Sequence, residues 1–229
     1  MLNTIKNTVP PHPTHVSTGP AAVHLLLAAL LLATGCATTP RIPSPTTQVE
    51  QSTMTSAHAL ARLEAGNTRF QTGKTLSRDL THQRARTAAG QYPFAVILSC
   101  IDSRASSELI FDQGLGEVCN ARVAGNVLDD DILGSMEFAC KVAGAKLIAV
   151  VGHSHCGAVK GACTGAKLGH LTGLLEKIQP SVKEAKTRLP GMAASDEKFI
   201  ETVAELNVDG VLKEIRDRSP ILRELIDSG

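Results

Sequence analysis

Two short apolar runs, each followed at once by polar residues that can bind a metal, constrain the fold more than any other feature. Residues 94–99 precede Cys100, and residues 147–152 precede His153 and Cys156. Both runs are rich in aliphatic residues, which is typical of buried strands in a parallel sheet. Because the carboxyl ends of parallel strands meet at one edge of a sheet, we expect these three side chains to lie close together.

The three side chains form a ligand set for zinc. Two thiolates and one imidazole bind zinc readily, and three protein ligands leave a fourth position open, as in catalytic sites. The pair His153 and Cys156 has a metal-ligand spacing, and Gly157 follows at the start of a predicted helix, where amide groups stabilise a thiolate. A disulfide between Cys100 and Cys156 is the alternative. His155 is predicted to face solvent.

Asp102 and Arg104 lie in the loop directly after Cys100. As an exposed ion pair they would stabilise the fold little. Beside a metal, Asp102 can accept a hydrogen bond from a metal-bound water while Arg104 keeps the carboxylate ionised. Alternatively, Asp102 fills the fourth zinc position itself and closes the site, since carboxylates are competent zinc ligands.

The order of the predicted elements indicates an α/β fold in which helices flank a central, mainly parallel β-sheet. Strands and helices alternate from residue 94 onward, and a βαβαβ order predicts parallel strands. The C-terminal third is predicted to be helical. The predicted strands are 94–99, 117–123 and 146–152, and the predicted helices are 56–70, 106–112, 130–143, a helix opening at 157, 195–218 and 220–226.

The N-terminal region is predicted to lie outside this fold. The apolar run 21–33 is too short to span a bilayer but fits a signal peptide. It ends in Ala-Thr-Gly-Cys36, which resembles a bacterial lipoprotein signal, so residues 1–35 are predicted to be the signal and Cys36 the lipidation site. An apolar signal cleaved elsewhere is the alternative. Residues 36–55 are predicted to be a flexible tether, and 56–229 the folded domain.

This signal predicts the periplasm or cell envelope, with membrane attachment only through the lipid on Cys36. The composition of the whole chain argues against two other kinds of partner. The formal net charge is +1, aromatic residues make up 3% and tryptophan is absent, so neither a polyanion nor stacked nucleic-acid bases are expected to bind. Cys119, Cys140 and Cys163 are predicted to be packed side chains.

From about Ala57 to Ile226 the chain resembles a beta-class carbonic anhydrase. Five short segments carry the resemblance, in the order that the family has them. They are Leu63–Phe70, Cys100-x-Asp-Ser-Arg104, Arg122–Asn126, Gly134–Glu137 and Gly152-His-x-x-Cys-Gly157.

The resemblance implies that Cys100, His153 and Cys156 bind one zinc ion per subunit and that Asp102 and Arg104 form the catalytic dyad. It implies reversible hydration of carbon dioxide to bicarbonate and a proton, since zinc lowers the pKa of its bound water to about 7 and so supplies hydroxide.

The resemblance implies that two groups lie near the substrate. One is the backbone amide of Gly157, and the other is a glutamine, which Gln91 matches in this sequence. It also implies a homodimer or a higher even oligomer, in which N-terminal helices embrace the neighbouring subunit.

Three departures from the family pattern stand out. First, residues 105–107 lack the usual proline. Second, the strand before Arg122 contains Asn120, which is predicted to be buried and to need hydrogen-bond partners. Third, no counterpart of the family's C-terminal strand precedes Gly229. Two other functions therefore stay open. One is a related hydrolase of carbon disulfide or carbonyl sulfide, and the other is an inactive, truncated lipoprotein whose site holds zinc or a disulfide.

Overall fold

A parallel sheet forms the centre of the molecule. The computed structural model describes residues 2–4 and 43–228. Within these residues the strands stand in the order β1-β4-β2-β3, and every pair is parallel. The predicted parallel α/β arrangement is therefore confirmed. The strands are β1 Leu2–Thr4, β2 Ala95–Ser99, β3 Val118–Arg122 and β4 Leu147–Val151.

The register aligns the ends of the three central strands. Ser99, the last residue of β2, lies opposite Arg122 of β3 and opposite Val151 of β4. All five residues of β2 and of β4 are buried, because both faces of the sheet are covered. The loops that carry Cys100 and His153 therefore begin side by side at one edge.

Helices cover the two faces of the sheet. Alternate residues of β2 point to opposite faces: Val96 and Leu98 pack with α9 (Glu197–Arg218), while Ala95 and Ile97 pack with α2 (Ser56–Gln71). The predicted helix 130–143 is α5 continued by a π-helical turn, Phe138–Val142. The helices are α1 Gln48–Thr53, α2 Ser56–Gln71, α3 Leu80–Thr87, α4 Ser107–Ile110, α5 Asp130–Glu137, α6 Gly157–Thr164, α7 Gly169–Glu176, α8 Gln179–Arg188, α9 Glu197–Arg218 and α10 Pro220–Ser228.

The segment Leu63–Phe70 docks α2 onto the loop after α4. A Cβ atom on Gly66 would lie 1.8 Å from the carbonyl oxygen of Phe111, so only glycine permits this approach. Next to it, the side chain of Asn67 donates a hydrogen bond of 2.9 Å to the carbonyl of Ile110. This part of the family pattern therefore serves packing.

The boundary predicted between tether and domain at residues 55 and 56 lies too late. Helix α1 falls inside the predicted tether, and Thr47 and Glu50 cap its start reciprocally. Gln51 is buried and donates to the carbonyls of Pro93, at 2.6 Å, and Ala143, at 2.7 Å. The sequence shows little sign of this contact because a single polar side chain, rather than an apolar stripe, attaches the helix.

The prediction that Asn120 is buried is wrong. Asn120 is exposed, and β3, on which it lies, is an edge strand that pairs only with β2 among the described strands. Its amide donates to the carboxylate of Glu108 at 2.8 Å, so it has the partner that a buried position would have required.

The N-terminal predictions fall mostly outside the described residues. Leu2–Thr4, inside the predicted signal peptide, pairs along its backbone with residues 148–150 of β4. Residues 5–42, which include the apolar run and Cys36, lie outside the described part, so the signal peptide and the lipidation site stay predictions. Among the described residues, no helix combines the length and the apolar character needed to cross a membrane.

Candidate metal centre

The three predicted ligands meet at the carboxyl edge of the sheet. Cys100 follows β2 directly, His153 lies two residues beyond β4, and Cys156 is the N-cap of α6. Their candidate ligand atoms all lie within 4.8 Å of one another, and the two sulfur atoms are 3.9 Å apart. The convergence predicted from the two strand ends is confirmed.

This geometry fits a zinc ion. Tetrahedral zinc with bonds of about 2.3 Å to sulfur places two thiolates about 3.8 Å apart, close to the separation found here. The distance of 3.9 Å between the two sulfur atoms is far above the length of a disulfide bond, about 2.05 Å. Both cysteines are free thiols. The structure therefore contains the open ligand set and not the alternative disulfide.

His153 is oriented to bind through Nε2. Its Nδ1 lies 2.9 Å from the carbonyl oxygen of Ser154 and can donate a proton to it, which leaves the lone pair on Nε2. That Nε2 atom is buried and has no hydrogen-bond partner among the described residues. A buried polar atom without a partner is costly, and a metal ion would satisfy it.

The two buried sulfur atoms shift each other's pKa in opposite directions, so that Cys156 holds its proton more firmly than Cys100 does. The neighbouring Cys156 thiol lowers the pKa of Cys100 to about 4; burial opposes this, and His153 and the Gly125 amide reinforce it. Conversely, the Cys100 thiolate and burial both raise the pKa of Cys156. A divalent cation would reverse the second effect and release that proton.

Asp102 is held by Arg104. Both carboxylate oxygens accept hydrogen bonds of 2.9 Å from the guanidinium, and the backbone amide of Arg104 adds a third. These bonds hold the pKa of Asp102 well below its usual range. Oδ2 lies 3.9 Å from Nε2 of His153, so the carboxylate borders the ligand set. In this structure the carboxylate is therefore engaged by Arg104.

Arg122 fixes the loop that carries Cys100 and Asp102. From the end of β3 its side chain donates to the carbonyl of Cys100 at 3.0 Å and to that of Asp102 at 2.6 Å. Arg122 belongs to one of the family segments, but no role for it was predicted from the sequence. Arg122 lies opposite Ser99, the last residue before Cys100. This pairing of the strands is what would have indicated that Arg122 contacts the loop of Cys100.

The remaining predicted residues lie in different places. Gly157 is exposed at the first turn of α6, and no atom lies within 4 Å of the position that a Cβ would take. Its side of the centre is therefore open. His155 is 66% exposed, with its ring 3.4 Å from Glu197, so the prediction that it faces solvent is confirmed.

Gln91 does not join the ligand set within one chain. It is exposed and lies before β2, whereas Cys100 follows β2. The five residues of the strand alone span about 16 Å at about 3.3 Å per residue. A substrate-side role for Gln91 would therefore need a second subunit, and that role stays a prediction.

Comparison with known proteins agrees with this site. A sequence model of the family described as carbonic anhydrase matches residues 95–229. The chain is 46% identical over 127 residues to carbonic anhydrase 2 of Mycobacterium tuberculosis, covering 52% of this chain and 61% of that protein. It is 37% identical over 156 residues to a carbonic anhydrase of Mycolicibacterium smegmatis, covering 64% and 75% respectively.

The fold has solved counterparts. Tetrameric beta-carbonic anhydrases from the ascomycete Sordaria macrospora superimpose with a TM-score of 0.59 at 24% identity, over 75% of this chain and 84% of theirs. This likeness concerns the fold. The matched part of the present chain spans 61% of the length of the Mycobacterium tuberculosis relative.

Proposed function

Since the chain belongs to the beta-class carbonic anhydrase family, we propose that it catalyses the reversible hydration of carbon dioxide to bicarbonate and a proton. The observation that carries the proposal is the open Cys100, His153 and Cys156 set with the Asp102–Arg104 pair beside it. A purely structural zinc site would need neither the aspartate nor the arginine.

In this proposal the three ligands hold one zinc ion per subunit. Bound zinc supplies a Lewis acid that activates water at neutral pH. The two cysteines provide the negative charge that retains the cation, and His153 provides a neutral donor whose ring is fixed by the Ser154 carbonyl. The fourth side of the tetrahedron is left for the reacting molecules.

Asp102 orients the reacting water. Each carboxylate oxygen has two lone-pair sites, and Arg104 occupies only one on Oδ2. The other can accept a hydrogen bond from the water that enters the open position. Because Arg104 keeps the carboxylate ionised, Asp102 remains an acceptor throughout the neutral range. The exposed amide end of α6 at Gly157 would face the oxygen atoms of the substrate.

We propose that the working form is a homodimer or a higher even oligomer. Two large apolar side chains on the segment that follows Cys100 are exposed, Ile101 at 61% and Leu109 at 67%, and β3 has an open edge in the part of the sheet that the structure describes. A second subunit covering this side would bury both side chains and could bring its own Gln91 to the substrate. The Sordaria macrospora counterparts are tetrameric.

A location in the periplasm or cell envelope, with a lipid on Cys36, is proposed on the sequence pattern alone. It requires residues 1–35 to be removed, and therefore excludes Leu2–Thr4 from the sheet of the mature protein. Mass spectrometry of the protein from a membrane fraction tests it: a lipidated Cys36 as first residue supports the proposal, and an intact N-terminus contradicts it.

The function is tested by stopped-flow carbon dioxide hydration with a pH indicator on the zinc-loaded full chain. We expect a rate far above background that is lost after chelation and restored by zinc. Carbonyl sulfide and carbon disulfide are assayed in parallel. A folded, zinc-loaded protein at the background rate would contradict the proposal, and turnover of the sulfur compounds alone would favour the related hydrolase.

Replacing Arg104 with leucine is expected to lower the hydration rate about 10- to 100-fold, the usual cost of losing a partner of the metal shell. The reason is that Asp102 loses the group that holds it away from the metal, and it can then fill the open position as a ligand. Zinc content by mass spectrometry should stay at one per chain.

Arg188→Leu is the matched control, because Arg188 of α8 also pairs with a carboxylate on the surface, that of Glu184, and is not one of the proposed site residues. The double variant Asp102→Asn, Arg104→Leu tests this explanation, because it has no carboxylate at residue 102 that could fill the open position. An unchanged rate in Arg104→Leu would remove the dyad from the mechanism.

A further inference from the structure

A buried hydrogen-bond chain connects helix α9 to the first metal ligand. Asn207 of α9 is 3% exposed and donates from Nδ2 to the carbonyl oxygen of Gly125 at 2.9 Å. The amide of Gly125 in turn donates to Sγ of Cys100 at 3.3 Å. Residues that lie far apart in sequence, at 100, 125 and 207, therefore form one contact path.

Asn207 stands out within its helix. The other buried residues of α9 are all apolar, and Val203 and Val211 flank Asn207 one turn away on either side. Burying an amide is unfavourable unless it forms hydrogen bonds. An asparagine in this apolar stripe is therefore explained by the carbonyl that it binds.

Gly125 needs an external contact to fix its orientation. Its backbone is left-handed, with φ 68° and ψ 18°, and a Cβ atom would lie 2.8 Å from Ile178 and 3.2 Å from Ala158. Only glycine fits, yet glycine is the residue with the greatest conformational freedom. The bond from Asn207 holds the carbonyl of Gly125, and this restricts the direction in which its amide points.

We infer that Asn207 is a positioning residue for the metal centre: it fixes Gly125 so that the Gly125 amide stays bonded to the Cys100 sulfur. Amide bonds to a ligating thiolate stabilise its charge and set the strength of the metal bond. Asn207 lies outside the family segments found in the sequence and touches no ligand directly. The inference rests on the proposed zinc site.

The test compares Asn207→Leu with Asn67→Leu in the full chain. Asn67 is matched, since it is also buried and donates at 2.9 Å to a backbone carbonyl, that of Ile110, away from the metal centre. The first readout is zinc affinity, by competition with a chromophoric chelator. The second is the sulfur-to-cobalt charge-transfer absorption of the cobalt(II)-loaded proteins, which a general loss of stability would not shift.

We expect Asn207→Leu to bind zinc about 10- to 100-fold more weakly, as for other groups that support metal ligands, and to shift the charge-transfer band. Asn67→Leu should keep both at the parent values. If a leucine variant is not recovered folded, the same two measurements are made on Asn207→Ala and Asn67→Ala. Alanine adds no atoms to the core, so these variants avoid overpacking.

Two results would overturn the inference. A folded Asn207 variant with the parent's zinc affinity and cobalt spectrum would overturn it alone, leaving the zinc site intact. A parent protein that binds no zinc would overturn the proposed function and this inference together.

Discussion

Replacing Cys100 with serine is expected to reduce carbon dioxide hydration to the uncatalysed rate and to abolish stoichiometric zinc binding. Cys100 is the ligand that gains most from its surroundings: Cys156, His153 and the Gly125 amide all favour its thiolate. A serine hydroxyl is not ionised at neutral pH and is a poor zinc ligand. The remaining set would have one thiolate and one imidazole, too few to hold the cation.

Cys163→Ser is the matched control. Cys163 is buried in the same apolar cluster as Cys100 and Cys156, but it is not one of the three converging ligands. This variant should retain one zinc per chain and the parent rate, with some loss of stability from the buried hydroxyl. Full zinc content and parent activity in Cys100→Ser would refute the proposed centre, and loss of zinc in Cys163→Ser would place the site elsewhere.

Replacing Asp112 with asparagine is expected to cost about 3–5 kcal/mol of the free energy of unfolding, as when one partner of a buried ion pair is removed. The Asp112 side chain is 2% exposed and forms ion pairs with Arg69, at 2.5 Å, and with Arg78. It also accepts a hydrogen bond from the backbone amide of Leu76. The variant leaves two arginines facing a neutral group.

Asparagine isolates the effect of charge. Residue 112 has a left-handed backbone, φ 45°, a conformation that asparagine tolerates as well as aspartate does. Urea unfolding at neutral pH gives the free-energy difference. Asp130→Asn is the control, because Asp130 pairs with Arg218 at the surface and is 96% exposed; it should change stability little. Equal stability of parent and Asp112→Asn would contradict the prediction.

The pH dependence of this difference has a defined sign. Burial alone would raise the pKa of Asp112, but the hydrogen bonds from Arg69 and Arg78 outweigh it and lower that pKa. The ionised carboxylate therefore contributes fully above the unfolded-state value of about 3.9. Its contribution is lost as the pH falls through the lower folded-state value, so the stability gap between parent and variant should narrow in acid.

The sequence determined the three central strands, their parallel direction and the ligand set. Aliphatic runs identify buried strands, their alternation with helices requires parallel pairing, and parallel pairing brings the strand ends together. From this alone Cys100, His153 and Cys156 could be placed at one edge, and the structure puts their ligand atoms within 4.8 Å. Each of these steps depends on local patterns or on a general rule of topology.

Only the tertiary structure decided which single polar residues support the site and the core. Gln51 binds carbonyls 42 and 92 positions away, and Asn207 binds one 82 positions away. Both lie in helices whose local pattern gives no sign of these partners, and the position of β3 at the edge of the described sheet depends on which strands pair. The physical reason is the same in each case: a single hydrogen bond has no period in the sequence, and its partner is fixed only when distant elements pack.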